Sequence, residues 1–313
     1  MLFGDVGNEG NGWDYTLAHL QRVVEDALAH ASGAVADAAG AAVPAPAQEP
    51  TAGPGTLREG FLALMDILGR RTAELHAALA FESGDAAFDP EPFTAEDART
   101  LRTRLTESLD GALDALSARR DALPAVLAPM ATRVLAAREA LRERAASLVP
   151  DDIGAARTRY HGDYHLAQVL LTRHDFAIVG FEGDPARPLA ARRAKHCPLR
   201  DVASMLRSFG YAANYAAWHG PAHTDADRER IAGPLEEWRK DATAAFLGGY
   251  RVRMAGVPSM PPADVEAALL DAFIVEGALH ELRFELRHRP DWVGVPLRAI
   301  TRILLTPPAG ASA

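Results

Sequence analysis

The chain has 313 residues and a formal net charge of −9, with 48% hydrophobic and 24% charged residues, the balance of a globular protein rather than a disordered one. The acidic balance argues against a broad nucleic-acid-binding surface. A single cysteine, Cys197, excludes an internal disulfide framework and a multi-cysteine zinc site. No run approaches the roughly 20 apolar residues that span a bilayer. At about 150 residues per domain the length suits one large domain or two small ones, and the default location is the cytoplasm, with no membrane and no nucleic-acid partner. Of the 33 basic residues only Lys195 and Lys240 are lysines, so a function that needs a lysine has two candidates.

Residues 1–12 are glycine-rich and read as a loop. A helix is expected over Trp13–Ala39, with Leu17, Leu20, Val23, Val24, Ala27 and Leu28 at helical spacing. Gly40–Gly55 holds four prolines among alanines and glycines and reads as a linker. A second amphipathic helix follows near Leu57–Ala80, then a Pro/Asp/Phe loop over 81–93. Thr94 is placed to cap the next helix, its hydroxyl meeting an orphan N–H while Asp97 suits the positive helix end. That helix carries Leu101, Leu105, Leu109, Leu113 and Leu116, and another is expected over Leu123–Ser147. The pattern then shifts: Ala167–Leu171 and Phe176–Phe181 are short and β-prone, with Thr-Arg-His-Asp between them, and read as a hairpin. Helices resume over Leu199–His219, Asp225–Met254, Pro262–Arg287 and Pro296–Leu304.

The residues that carry chemistry lie between Tyr160 and Arg207. His161-Gly-Asp-Tyr-His-Leu-Ala-Gln168 precedes the hairpin and Gly180-Phe-Glu-Gly-Asp184 follows it. Asp163 sits in a polar loop beside a glycine that permits a tight turn. Gln168, five residues on, offers a carboxamide oxygen, and Glu182 and Asp184 offer carboxylates. A base followed by oxygen ligands for Mg²⁺ is the set that phosphoryl transfer needs, since that reaction rests on positioning and charge neutralisation. The order also follows the kinase pattern of an aspartate base, an amide five residues later and a strand ending in an acidic metal ligand.

His161–Gln168 resembles the catalytic loop of aminoglycoside phosphotransferase-like kinases. The stretch from Phe181 through Arg193, Lys195 and Arg200 to Ala213 is similar to the maltokinases of actinobacteria, as are Gly12–Leu17 and Glu281–Arg298. The resemblance implies a mainly α fold with a small β-hairpin, the C-lobe of a protein kinase-like fold. Residues 1–12 would be a hinge remnant, 13–313 the helical lobe with its catalytic loop and hairpin at 160–185, and the N-lobe is expected to be absent. It implies one lobe of a bilobal kinase of roughly 450 residues. It also implies ATP-dependent phosphorylation of maltose to maltose 1-phosphate on a route from trehalose to glycogen, with trehalose synthase as a partner and ATP and Mg²⁺ as cofactors. On this resemblance Asp163 is the general base, and Gln168, Glu182 and Asp184 are metal ligands. His161 and His165 hold the loop. Arg193, Lys195, His196, Arg200, Tyr211 and Trp292 face sugar or phosphate, with salt bridges and core packing as the bland alternatives. Asp201 and Arg207 support the loop from the next helix.

Three departures bear on activity. Gly180 stands where the family has an aspartate before Phe-Glu, so that Gly180→Asp is expected to raise the activity of a damaged kinase. No phosphate-covering glycine loop or ATP-pairing lysine on a strand is present. Gly277 and His280 stand where the family tends to have Lys and Tyr. Two other readings follow: a non-catalytic kinase-like module that partners a glycan enzyme, and a phosphotransferase acting on an aminoglycoside, choline or similar alcohol.

Overall fold

A computed structural model describes residues 6–37, 54–221 and 224–306. The linker expected over Gly40–Gly55 lies, but for its last two residues, outside them, as do residues 1–5 of the expected hinge remnant. The chain clusters into two compact units.

The first unit comprises Met1–Leu75, His165–Phe181 and Ser208–Ala255. It contains α1 (Gly12–Asp37), most of α2 (Pro54–Leu79), the antiparallel hairpin of β3 (Val169–Thr172) and β4 (Asp175–Ile178), the end of α7 (Leu199–His219) and α8 (Asp225–Met254). Residues 9–11 are not a free loop. Glu9 N–H donates to Leu171 O and Leu171 N–H to Gly10 O, both at 2.9 Å, so the segment lies along β3 as a short extra edge. Asn11 then caps α1: its Oδ1 accepts from Asp14 N–H at 2.9 Å and its amide donates to the Asp14 carboxylate at 2.9 Å. A Cβ on Gly12 would stand 2.6 Å from Val169 Cγ2 and 2.9 Å from Leu166 O, so only glycine lets the helix start this close to the hairpin. In α2 and α8 the backbones approach just as closely, a Cβ on Gly69 falling 2.0 Å from Phe246 O and one on Gly249 falling 2.0 Å from Asp66 O. The core between them is aromatic: Phe61, Trp238, Phe209, Phe246 and Tyr250 are buried, Phe61 stacking on His19 with centroids 4.1 Å apart.

The second unit comprises His76–Tyr164, Glu182–Arg207 and Gly256–Ala313. Here α3 (Ala95–Ala118) packs on α9 (Ala263–His288) and α5 (Arg138–Ser147), and α10 (Gly294–Leu304) on α9. The five leucines expected on the buried face of α3 are all buried, because i, i+4 repetition places them on one stripe. Thr94 caps α3 in a full capping box with Asp97. The single helix expected over Leu123–Ser147 is instead one 3₁₀ turn, Ala125–Leu127, followed by α4 (Ala128–Ala136) and α5, the break falling at Ala137 with φ −98° and ψ 15°. The 81–93 loop ends in β1 (Glu91–Pro92), paired antiparallel with β2 (Ala156–Arg157), a pairing 65 residues apart in register that carries no local signal. A one-turn helix, α6 (Leu189–Arg192), completes the unit. The mainly helical expectation and the hairpin at 160–185 agree with what is observed.

Candidate functional site

The His161–Asp163 loop is held from below by a buried carboxylate. Asp201, in the first turn of α7 and 2% exposed, accepts from His161 N–H at 2.7 Å and from Gly162 N–H at 3.0 Å. His76 Nε2 lies 3.1 Å from the same carboxylate and is itself fully buried. The His161 ring turns inward against Tyr164, centroids 5.2 Å apart, and its Nδ1 accepts from Asp163 N–H at 3.3 Å. His161 and Tyr164 are thus buried while Asp163 between them is only half-buried. Asp201 therefore supports the loop, as expected. Arg207 pairs with Glu281 on α9.

Glu182 and Asp184 come up to this loop through a contact between glycines. Gly162 has φ +83° and Gly183 φ +69°, and a Cβ on Gly162 would lie 3.7 Å from the Gly183 Cα. Glu182 is exposed, its carbonyl accepting from Arg192 Nη1 at 3.2 Å. Asp184 is engaged locally, Oδ1 accepting from Ala186 N–H at 2.9 Å and Oδ2 facing Arg187 Nε at 3.4 Å.

Behind the loop lies a cluster of arginines and neutral rings. Arg200 and Arg104 share Glu276, at 2.5 and 3.1 Å. Thr158 and His196 exchange two backbone hydrogen bonds of 2.9 Å, and the His196 ring stands edge-on to Tyr160 at 5.2 Å. Burial, followed by Arg200, Arg104, Arg187 and Arg157, pushes the His196 pKa down to about 3. Burial also lowers His280, with Arg187 and Arg283 adding to it, and raises the Tyr160 phenol against the pull of Arg200 and Arg187. The two imidazoles stay neutral and the phenol protonated near neutral pH.

Lys195 is buried and engaged by protein acceptors. It is 9% exposed, and its Nζ donates to Glu91 Oε1 and Ala86 O, both at 2.7 Å, so it ties the 81–93 segment in place. Arg193 is exposed, and its carbonyl accepts from the Arg159 guanidinium. Trp292 is half-buried beneath Arg289, whose guanidinium sits 5.2 Å from its ring centroid.

The remaining expected residues fall in the first unit. His165 caps a 3₁₀ turn, Leu166–Gln168, its Nδ1 accepting from Ala167 N–H at 3.3 Å. Ser208 Oγ accepts from Leu166 N–H at 3.1 Å. Gln168 opens the hairpin, its carbonyl accepting from Val179 N–H at 2.9 Å. Its carboxamide fills the space over Gly180: a Cβ there would meet Gln168 Oε1 at 2.1 Å and Cδ at 2.7 Å, and Gly180 has φ +80°. A side chain at Gly180 would have to displace the Gln168 carboxamide and adopt a left-handed backbone, which opposes the gain expected from Gly180→Asp. Tyr211 is half-buried on α7. Among the described residues no group of three or more His, Cys, Asp and Glu side chains stands together to hold a metal ion. Of the donors expected for Mg²⁺, Gln168 belongs to the first unit and Glu182 and Asp184 to the second.

His76, Tyr160 and the Arg104–Glu276 pairing had no signal in the sequence. His76 reads as one more residue of an amphipathic helix, and its partner lies 125 residues away. No described helix is long and apolar enough to cross a membrane.

No family model matches the chain. A glucosamine kinase of Streptacidiphilus jiangxiensis is 29% identical over 237 residues, 76% of this chain and 48% of that protein. A glucosamine kinase of Mycolicibacterium smegmatis is 28% identical over 245 residues, 76% of this chain and 52% of its own length. The chain thus spans about half the length of these relatives. Among solved structures, a glucosamine kinase in complex with glucosamine, ADP and inorganic phosphate aligns with a TM-score of 0.67 at 24% identity, over 94% of this chain and 57% of that one. A second crystal form of glucosamine kinase aligns with the same score over 95% and 58%. The chain shares the fold of the matched part of these structures.

Proposed function

We propose that this chain is the helical, acceptor-binding part of a sugar kinase, with Asp163 as the base for the attacking hydroxyl. The observation that carries this reading is the His161–Asp163 loop clamped on Asp201, in a chain similar to glucosamine kinases over 76% of its length. ATP is the phosphoryl donor. The sugar hydroxyl gives its proton to the Asp163 carboxylate, its oxygen bonds to the terminal phosphorus of ATP, and the bond from that phosphorus to the bridging oxygen breaks as ADP leaves. The chain's own contribution is placement: a half-buried carboxylate on a loop whose backbone is hydrogen-bonded to Asp201. Glu182 and Asp184 are the carboxylates that would hold Mg²⁺, which would neutralise charge on the phosphates.

The acceptor proposed is an amino sugar such as glucosamine, after the names of the relatives. Maltose is the competing acceptor, supported by the resemblance over Phe181–Ala213, and the trehalose synthase partnership and the glycogen route stand or fall with it. One observation favours a second reading, a module that binds a sugar without turnover: the Gln168 carboxamide occupies the space over Gly180.

The experiment is transfer of labelled phosphate from ATP to glucosamine, maltose, an aminoglycoside and choline, with calorimetric binding of each in parallel. Transfer to glucosamine, lost at least about a hundredfold in Asp163→Asn, supports the proposal. Transfer to maltose alone replaces the acceptor, and transfer to an aminoglycoside or choline alone replaces the substrate class. Sugar binding without transfer supports the module, and no binding of any sugar overturns both readings.

A further inference from the structure

We infer that His76 is a positioning residue for the Asp163 loop, acting through Asp201 rather than touching any substrate. Asp201 is 2% exposed and His76 fully buried. A carboxylate at that depth is strongly disfavoured unless donors surround it. Three do: His161 N–H at 2.7 Å, Gly162 N–H at 3.0 Å and His76 Nε2 at 3.1 Å. The two amides belong to the loop itself, so they are the objects being positioned. His76 is the donor that comes from elsewhere, from the last turn of α2. It shares Oδ2 with the His161 amide, and so sets which way the carboxylate plane faces.

The relay then continues outward. His161, with its backbone fixed by Asp201, offers Nδ1 to Asp163 N–H at 3.3 Å, and Gly162, at φ +83°, makes the turn between them. A carboxylate only accepts hydrogen bonds, so His76 Nε2 carries a proton. Removing that donor leaves Asp201 free to rotate about its terminal torsion, which is broad and weakly restrained on its own. Both loop amides then lose a fixed acceptor.

The loop's role in catalysis rests on the sugar-kinase reading, but the clamp itself does not, and the test separates them. Amide hydrogen exchange of His161 and Gly162 is measured in the full chain and in two variants. His76→Phe keeps a ring without a donor, and His76→Gln keeps a side-chain N–H. His76→Phe is expected to speed exchange at both amides at least tenfold while amides of α9 stay within threefold of the parent. His76→Gln is expected to restore both to within threefold. Exchange at His161 and Gly162 unchanged in His76→Phe overturns the inference. Should that variant fail to fold, nitrogen-detected NMR of the parent chain decides: a protonated Nε2 on His76 is expected, and an unprotonated Nε2 overturns the inference. If the parent transfers phosphate to a sugar, His76→Phe should lower kcat at least tenfold with the sugar KM within twofold, and His76→Gln should recover it. A KM effect alone would mean that His76 acts on binding and overturns the positioning role. If the parent transfers no phosphate, the functional reading falls while the exchange data still decide the clamp.

Discussion

Gly180 is the position at which the sequence resemblance and the structure disagree most sharply, and Gly180→Ala tests which is right. Its φ is +80°, and a Cβ would stand 2.1 Å from Gln168 Oε1. Two costs separate. An L-residue in the left-handed region costs about 1–2 kcal/mol. Moving the Gln168 carboxamide aside adds about 1 kcal/mol, since it is the end of a flexible side chain and has a rotamer to retreat to. The sum is about 2–3 kcal/mol, read as a lower urea midpoint at unchanged slope. The double variant Gln168→Ala/Gly180→Ala should be less destabilised than the two single changes added together, with a coupling of about 1 kcal/mol. Only the φ cost then remains. Gly180→Asp should follow Gly180→Ala in stability and gain no phosphotransfer. A Gly180→Ala chain within about 0.5 kcal/mol of the parent, or costs that simply add in the double variant, would refute the reasoning. So would a rise in transfer in Gly180→Asp, which would restore the expectation of a missing metal ligand.

Other outcomes follow from packing and burial. Gly69→Ala places a methyl 2.0 Å from the Phe246 carbonyl and should cost about 3 kcal/mol or more, because backbone has to move. Gly248→Ala, where a Cβ meets nothing within 4 Å, should stabilise α8 by about 0.5–1 kcal/mol; paired urea curves showing equal effects would contradict this. His196 is held down to about 3 and His19 to about 4, both chiefly by burial, while the unfolded chain takes up these protons near pH 6.5. The unfolded state therefore binds more protons below that pH, so stability is full above it and falls steadily as pH drops toward 4. His196→Gln should flatten that slope in urea midpoints taken at pH 7, 5.5 and 4.5, and an unaltered slope would discount the histidine. The Cys197 thiol, fully buried and pushed up to about 12 by that burial, should resist a thiol reagent until denaturant is added. Stoichiometric labelling of the native chain would show that the region around α7 opens.

Much of the fold was legible because it rests on local repetition. The leucines of α3, the bounds of α7 and α8 and the Thr94 capping box all follow from i, i+4 spacing and short-range hydrogen bonding. The hairpin was visible in its β-prone strands. Its partner edge at residues 9–11 was not, since glutamate, glycine and asparagine carry no strand preference and the pairing partner is some 160 residues away. Of the candidate site, the Asp163 loop was legible as a motif. The role of Lys195 was not: a lysine near a catalytic motif suggests phosphate, whereas here it is buried on Glu91, 104 residues distant.

The sequence by itself determined a helical chain with a hairpin, and it marked the His161–Asp163 loop as the candidate site. These are properties of short windows, where spacing and residue type suffice. Tertiary structure alone decided which acids are reachable and which are occupied. Asp201 became the anchor of the loop because folding carries it to two backbone N–H groups and His76. At Gly180, Gln168 fills the space that a side chain would need. Both are consequences of burial and backbone angle, and neither has a local signature in the order of residues.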